Sequence, residues 1–254
     1  MEEKLLLDEM QRLVDKATSH EVVLRGLGAV AIRSHTLAFA ERCPVLRRDF
    51  TDLDFLTYSK MEKTAMVALE ECGYHQDNAR AYIRGITGRS MLESSEKKIV
   101  VDLFFDRLSY NHKIELNGRL ERDPLTIPIA DLFLEKTQIV QINEKDVKDS
   151  ILLIGEHPLG KTDAETLNVD RVCDVLSNDW GFYYTVTNNL TKISDYAKKV
   201  DGMSDADRDT VLSKIDQLRG AIEQAPKSFG WKMRARVGPK KKWYADVEEL
   251  VAGH

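Results

Sequence analysis

Asp52 and Asp54 stand two residues apart in the segment Arg48-Asp49-Phe50-Thr51-Asp52-Leu53-Asp54-Phe55-Leu56-Thr57. Its apolar residues read as a strand, which turns residues i and i+2 to one face, so the two carboxylates project together while Leu53, Phe55 and Leu56 pack the sheet. Carboxylates this close repel unless a positive charge lies between them, and hard oxygen donors suit Mg²⁺ with its retained waters and substrate phosphates. A third acid, Asp102, interrupts the apolar run Ile99-Val100-Val101-Asp102-Leu103-Phe104. Asp106 shares its side-chain parity and competes for that role nearer the strand end. Upstream, Gly26-Leu27-Gly28 follows a short apolar strand and opens a helix. There backbone N–H groups can approach phosphate closely, because no Cβ stands in the way.

These residues need a scaffold, and the apolar periodicity supplies one. A helix is predicted over about residues 2–18, a buried strand at Val22-Val23-Leu24, a helix from Ala29 to Ala40, and the acidic strand from Asp52 to Thr57. Ser59 to Glu71 reads as a helix stopped by Gly73. Ser90 to Glu93 and Lys98 to Phe105 read as neighbouring strands, and residues 113–121 read as a hairpin turning at Asn117-Gly118. Beyond Pro128 the pattern becomes helical: Ile129 to Ile142, Glu144 to Ile154, Ala164 to Leu176, then long segments to about Gln224. The expected fold is α+β, a mixed sheet flanked by helices and followed by a helical carboxyl-terminal region. The loop Gly155 to Lys161 divides residues 1–155, the catalytic unit, from residues 156–254.

A glycine turn opening a helix, a same-face Asp pair on the next strand, and a later strand with one interior acid together resemble the nucleotidyltransferase superfamily built on the DNA polymerase β-type core. The resemblance covers about residues 20–155. It implies phosphate contacts at Gly26 and Gly28, a metal-binding DxD pair at Asp52 and Asp54, and a third metal ligand at Asp102 beside the acceptor hydroxyl. Two Mg²⁺ ions about 3.5–4 Å apart, with Mn²⁺ as a substitute, would clamp the attacking and leaving oxygens. Leu132-Phe133-Leu134-Glu135-Lys136 followed by Glu144-Lys145-Asp146-Val147-Lys148-Asp149 is similar to the AbiEii-type and related uncharacterised branches. That likeness implies phosphate contact by Lys136, Asp146 and Asp149 orienting basic groups or closing the site, and a toxin-type or small-molecule-modifying activity on ATP or another nucleoside triphosphate. The chain departs from the family in having Gly26-Leu27-Gly28 where two adjacent small residues are usual, and in a longer interval before the Asp pair. Arg33, Arg47 and Arg48 are further candidates for phosphate, with Arg48 the chosen one. For Arg47 and Arg48 the alternative is ion pairing with Asp49 or Asp52 in the absence of metal, and for Lys136 it is snorkelling to water.

Composition narrows the remaining classes. A net charge of −5 over 254 residues gives no overall attraction to nucleic acid or membrane. No apolar run approaches the roughly 20 residues that span a bilayer, and the acidic opening is no signal peptide, so a cytoplasmic protein without membrane contact is expected. Cys43, Cys72 and Cys173 are scattered and show no zinc spacing. Lys227 to Tyr244 interleaves seven basic residues with Trp231, Trp243 and Tyr244. It reads either as a nucleic-acid contact or as a tail docked on the acidic body of its own protein. The acceptor stays open between a small molecule, a protein and an RNA. The reading from another class is a catalytically silent nucleotidyltransferase-like domain that binds nucleotide or a partner.

Overall fold

A computed structural model describes residues 3–76 and 88–246; Met1 and Glu2 of the acidic opening lie outside the described residues. The chain is α+β, with ten α-helices among the described residues around a small mixed sheet. The sheet is ordered β1-β2-β4-β3, with β1 at Leu24–Leu27, β2 at Asp52–Thr57, β3 at Ser90–Ser94 and β4 at Ile99–Phe105. Strands β2 and β4 run parallel at the centre, while β1 and β3 pair antiparallel on the outside. Leu53, Phe55, Val101 and Leu103 are buried on the face of β2 and β4 opposite the acids, as period-two alternation requires.

Helix α1 (Glu3–Ser19) lies across β1 through Leu6, Met10, Leu13 and Val14. The first strand begins later than the apolar run suggests and takes in Gly26. The Gly26 N–H donates to the Leu125 carbonyl at 2.9 Å, and its own carbonyl accepts from Ile127 N–H at 2.9 Å. A Cβ on Gly26 would stand 2.6 Å from Met10 Sδ. Gly26 is therefore a strand residue over which α1 packs closely, and no part of a phosphate-binding turn. Gly28, at φ +72, opens α2 (Gly28–His35). The helix read as Ala29 to Ala40 divides at Thr36, whose hydroxyl returns to the Ile32 carbonyl at 2.9 Å. That back-bond competes with continuation of the helix, and α3 (Leu37–Arg42) restarts it in a new direction.

Two further expectations shift for physical reasons. The hairpin forms between β5 (Arg107–Ser109) and β6 (Lys113–Glu115), reversing at residues 110–112. Asn117-Gly118 does turn, with Gly118 at φ +69, but no strand follows. Arg25 Nε binds the carbonyls of Leu120 and Asp123 at 2.7 and 2.6 Å, and Arg119 is drawn to Asp131 and Asp163. Helix α5 (Ile129–Thr137) ends before Ile142. Asn189 Nδ2 takes the carbonyls of Thr137 and Ile139 at 2.9 and 2.8 Å, which replaces the next helical turn.

Strands β3 to β6 fall between α4 (Glu62–Glu71) and α5 in the chain; after α5 come α6 (Glu144–Glu156), α7 (Val169–Asn178), α8 (Trp180–Lys199), α9 (Asp205–Gln224) and α10 (Phe229–Val237). Helix α7 starts later than Ala164, because Leu159–Gly160 (β7) and Leu167–Asn168 (β8) pair in parallel and Asn168 then caps α7 at the Arg171 N–H. The apolar core continues from Leu6 to Ile222 without interruption at residues 155–161. Lys214 of α9 reaches back to the carbonyls of Ile154, Gly155 and His157 at 2.8–3.0 Å, closing the end of α6.

Candidate functional site

The register of the two central strands decides the geometry of the acids. Asp54 lies directly opposite Asp102, and Asp52 lies opposite Val100. In a parallel pair with period-two side chains, Asp52, Asp54 and Asp102 thus share one face. Asp52 is exposed, Asp54 half-buried, and Asp102 buried at 7% exposure. Burial, and then the charges of Asp52, Asp102 and Glu135, hold the Asp54 carboxyl well above its ordinary range, against the pull of Lys136. Burial raises Asp102 too, opposed by Arg89, whose Nη1 lies 3.3 Å from Asp102 Oδ2. The other oxygen, Oδ1, is buried without a hydrogen-bond partner among the described residues.

Helices α5 and α6 complete this face. The Gly28 N–H donates to Glu135 Oε2 at 3.0 Å, and a Cβ on Gly28 would fall 2.3 Å from Asp54 Oδ2. Glycine is required twice here, by the positive φ and by the carboxylate against the backbone. Glu135 is itself raised by burial, despite Lys136 and the Gly28 amide. Lys136 Nζ lies 3.3 Å from Glu135 Oε1 and 3.7 Å from both Asp146 Oδ1 and Asp149 Oδ2. Burial disfavours its ammonium form, and the surrounding Glu135, Asp149 and Asp146 outweigh burial and raise it. Arg48 meets Asp149 through Nε at 3.2 Å and Nη2 at 2.8 Å.

A cleft of about 520 Å³ opens beside this network, bordered by Asp54, Glu135, Lys136, Tyr110, Asp146 and Tyr244 among others. It is large enough for a small-molecule ligand, for which sites of roughly 300–1,000 Å³ are usual. Burial and the nearby Asp54 and Glu135 charges push the Tyr110 phenol far above its usual range, so it stands in the cleft as a neutral hydroxyl.

Several sequence candidates therefore meet and others do not. Gly28, Asp54, Asp102 and Lys136 are neighbours, with Asp52 on the same face. Lys136 does not snorkel; it is enclosed by carboxylates. Arg48 is engaged by Asp149, a partner other than the Asp49 or Asp52 considered from sequence. Arg33 is buried against Glu3 and Phe50, and Arg47 also points to Glu3. Asp106 accepts the Ser59 N–H at 3.0 Å beyond the end of β4. In the basic tail Arg234 covers the Trp180 ring at 4.6 Å and Lys227 binds the carbonyls of Ile222 and Ala225, while Lys232, Arg236, Lys240, Lys241 and Lys242 are exposed. Glu135 and Tyr110 received no role from sequence. A charged residue inside the apolar run Leu132 to Lys136 was the available signal for Glu135, whereas nothing local marks Tyr110.

Among the described residues, no three His, Cys, Asp or Glu side chains close around a common point tightly enough to enclose a metal ion. The donor chemistry nevertheless fits a hard divalent cation: oxygen donors on one face, mutual repulsion at Asp54, and an orphaned oxygen on Asp102. No protein-family model matches the chain, and no curated protein matches it in sequence. No described helix is long and apolar enough to cross a membrane.

Proposed function

We propose that the chain is a metal-dependent nucleotidyltransferase that moves a nucleoside monophosphate from a nucleoside triphosphate to an acceptor hydroxyl. The observation that carries this reading is the facing of Asp54 and Asp102 across β2 and β4, with Asp52 on the same face and one Asp102 oxygen unsatisfied. Asp52, Asp54 and Asp102 would hold Mg²⁺ or Mn²⁺, which when bound offsets the negative charge of the phosphates and lowers the pKa of a coordinated hydroxyl. Asp102 takes the proton of the acceptor hydroxyl as its oxygen attacks the α-phosphorus. The bond from that phosphorus to the bridging oxygen breaks, and pyrophosphate leaves. Lys136 places a fixed ammonium at the cleft for the phosphate chain, while Asp146, Asp149 and Arg48 hold Lys136 in position. Gly28 leaves space beside Asp54 and keeps the helix start close to the reacting groups.

The test is pyrophosphate release. Purified protein with Mg²⁺ and each nucleoside triphosphate, offered small-molecule, protein and RNA acceptors, should release pyrophosphate, and Asp54→Asn and Asp102→Asn should abolish release. Turnover equal to that of wild type in both variants rejects the assignment. The toxin-type or small-molecule-modifying character belongs to the same proposal and is read from which acceptor is labelled.

One observation favours a second reading. Arg89 already pairs with Asp102, as a guanidinium would in a silent domain that binds nucleotide or a partner without transferring phosphate. Nucleotide binding without pyrophosphate release, and release restored in no Arg89→Ala protein, would select it.

A further inference from the structure

The described chain ends in an extended strap that borders the cleft. It leaves α10 at Gly238, whose φ is +62. Trp243 then packs edge-on to Tyr184 with ring centroids 4.9 Å apart, and its Nε1 donates to Thr185 Oγ1 at 3.0 Å. Ala245 is held through both groups of its backbone. Its N–H donates to the Asn111 carbonyl at 3.0 Å, and its carbonyl accepts from Asn111 Nδ2 at 2.8 Å. Between these anchors sits Tyr244, and just past them Asp246; both border the cleft that holds Asp54 and Lys136.

Gly181 shows that the docking is built into α8. A Cβ there would meet the Trp243 carbonyl oxygen at 2.4 Å. The residue has no positive φ and sits in the first turn of a helix, where alanine is the better helix former. Close passage of the strap is what calls for glycine. The cleft keeps its volume of about 520 Å³ with the strap in place, so the strap bounds the space and leaves it open to a ligand.

We propose that Trp243–Asp246 is a wall of the substrate cleft, seated by Gly181, Thr185 and Asn111, and that the Tyr244 ring is the surface on which the nucleoside moiety rests. The inference deepens the nucleotide reading above and rests on it. The cleft's ammonium, Lys136, draws the phosphate chain toward Asp54, and the uncharged base is left for the aromatic side. A base resting on an aromatic ring gains affinity whatever its identity, because every base has a π-face.

The experiment uses the full chain. Binding of the Mg²⁺ complexes of ATP, GTP, CTP and UTP is measured by calorimetry for wild type, Gly181→Ala, Tyr244→Ala and Tyr244→Phe, with hydrogen exchange of residues 243–246 followed in parallel. Gly181→Ala should speed exchange in 243–246 and raise Kd about ten-fold or more while thermal stability holds. Tyr244→Ala should raise Kd similarly, and Tyr244→Phe should keep it within about two-fold. Nucleotide should slow exchange of the Ala245 amide in wild type. Unchanged or tighter binding in Tyr244→Ala, or in a Gly181→Ala protein whose strap exchanges faster, overturns the wall while leaving the nucleotide reading intact. Failure of the wild type to bind any of the four nucleotides overturns that reading itself, and the wall with it.

Discussion

Helix α5 is buried over all nine residues and carries a charge cluster at each end, and the two clusters are composed differently. At its first turn Asp131, 0% exposed, accepts from Arg119 Nε and Arg171 Nε at 2.9 Å each. Arg119 continues to Asp163 at 2.8 and 2.9 Å, and Asn168 adds a bond to Asp163 at 3.0 Å. Arg171 also reaches the Glu115 carbonyl at 2.9 Å. Two carboxylates meet two guanidiniums, and the knot ties β6, α5, α7 and the loop before α7 together. At the last turn Glu135 and Lys136 enter a group in which, among the described residues, six carboxylates face three cations, Arg48, Arg89 and Lys136. Burial, and then repulsion by the neighbouring acids, raises Asp54 there, and Asp102 Oδ1 has no hydrogen-bond partner among the described residues. A balanced buried cluster fixes structure; an unbalanced one beside a cleft is the pattern expected of a functional site.

The contrast breaks first at its balanced end. Asp131→Ala should destabilise the protein by about 3 kcal/mol, because two partly buried guanidiniums lose a fully buried shared carboxylate; urea denaturation measures the loss, and a change under ~1 kcal/mol would show that this knot is not closed as described. At the other end, Mg²⁺ at a hundred times its Kd should stabilise wild type by about 2.7 kcal/mol. A melting shift of the same size in the triple Asp52→Asn, Asp54→Asn, Asp102→Asn protein would place the cation elsewhere. In the absence of divalent cation, Asp54→Asn should leave the fold unharmed or raise its stability by about 1 kcal/mol, since it relieves like-charge repulsion and desolvation; a loss equal to that of Asp131→Ala would erase the distinction between the clusters. The smallest effect concerns acid. Burial tends to raise Asp163, but its hydrogen bonds from Arg119 and Asn168 prevail and lower it below the ordinary 3.8. A carboxyl depressed on folding contributes stability that is present above the unfolded pKa and fades as pH falls through the folded one. Below about pH 4 wild type should therefore lose stability more steeply than Asp163→Asn, as followed by thermal melts in chelated buffer, and parallel profiles would deny Asp163 its place in the knot.

Local pattern carried much of the scaffold. Period-two alternation around Asp52 and Asp54 located β2, and the apolar run Ile99 to Phe105 located β4, because both signals come from neighbours along the chain. Errors arose where distant groups captured backbone polar atoms: Asn189 ends α5 early, Arg25 and Arg119 suppress the second hairpin strand, and Leu125 with Ile127 converts Gly26 from turn to strand. No local propensity encodes an acceptor 50 or 100 residues away. The site divided along the same line. Asp52, Asp54 and Asp102 could be selected as strand acids, but Arg48 could not be assigned to Asp149, and Glu135 and Tyr110 were passed over.

By itself the sequence determined which faces are apolar, which strands carry acids, and that Asp52 and Asp54 project together, for these follow from backbone periodicity. Only the tertiary structure decided that Asp102 stands opposite Asp54, that Glu135 holds the Gly28 amide, and that Tyr244 and Asp246 border the cleft. Pairing register and burial are set by the packing of elements far apart in the chain. Burial in turn decides whether a carboxylate is a solvated surface group or a charge that needs a partner.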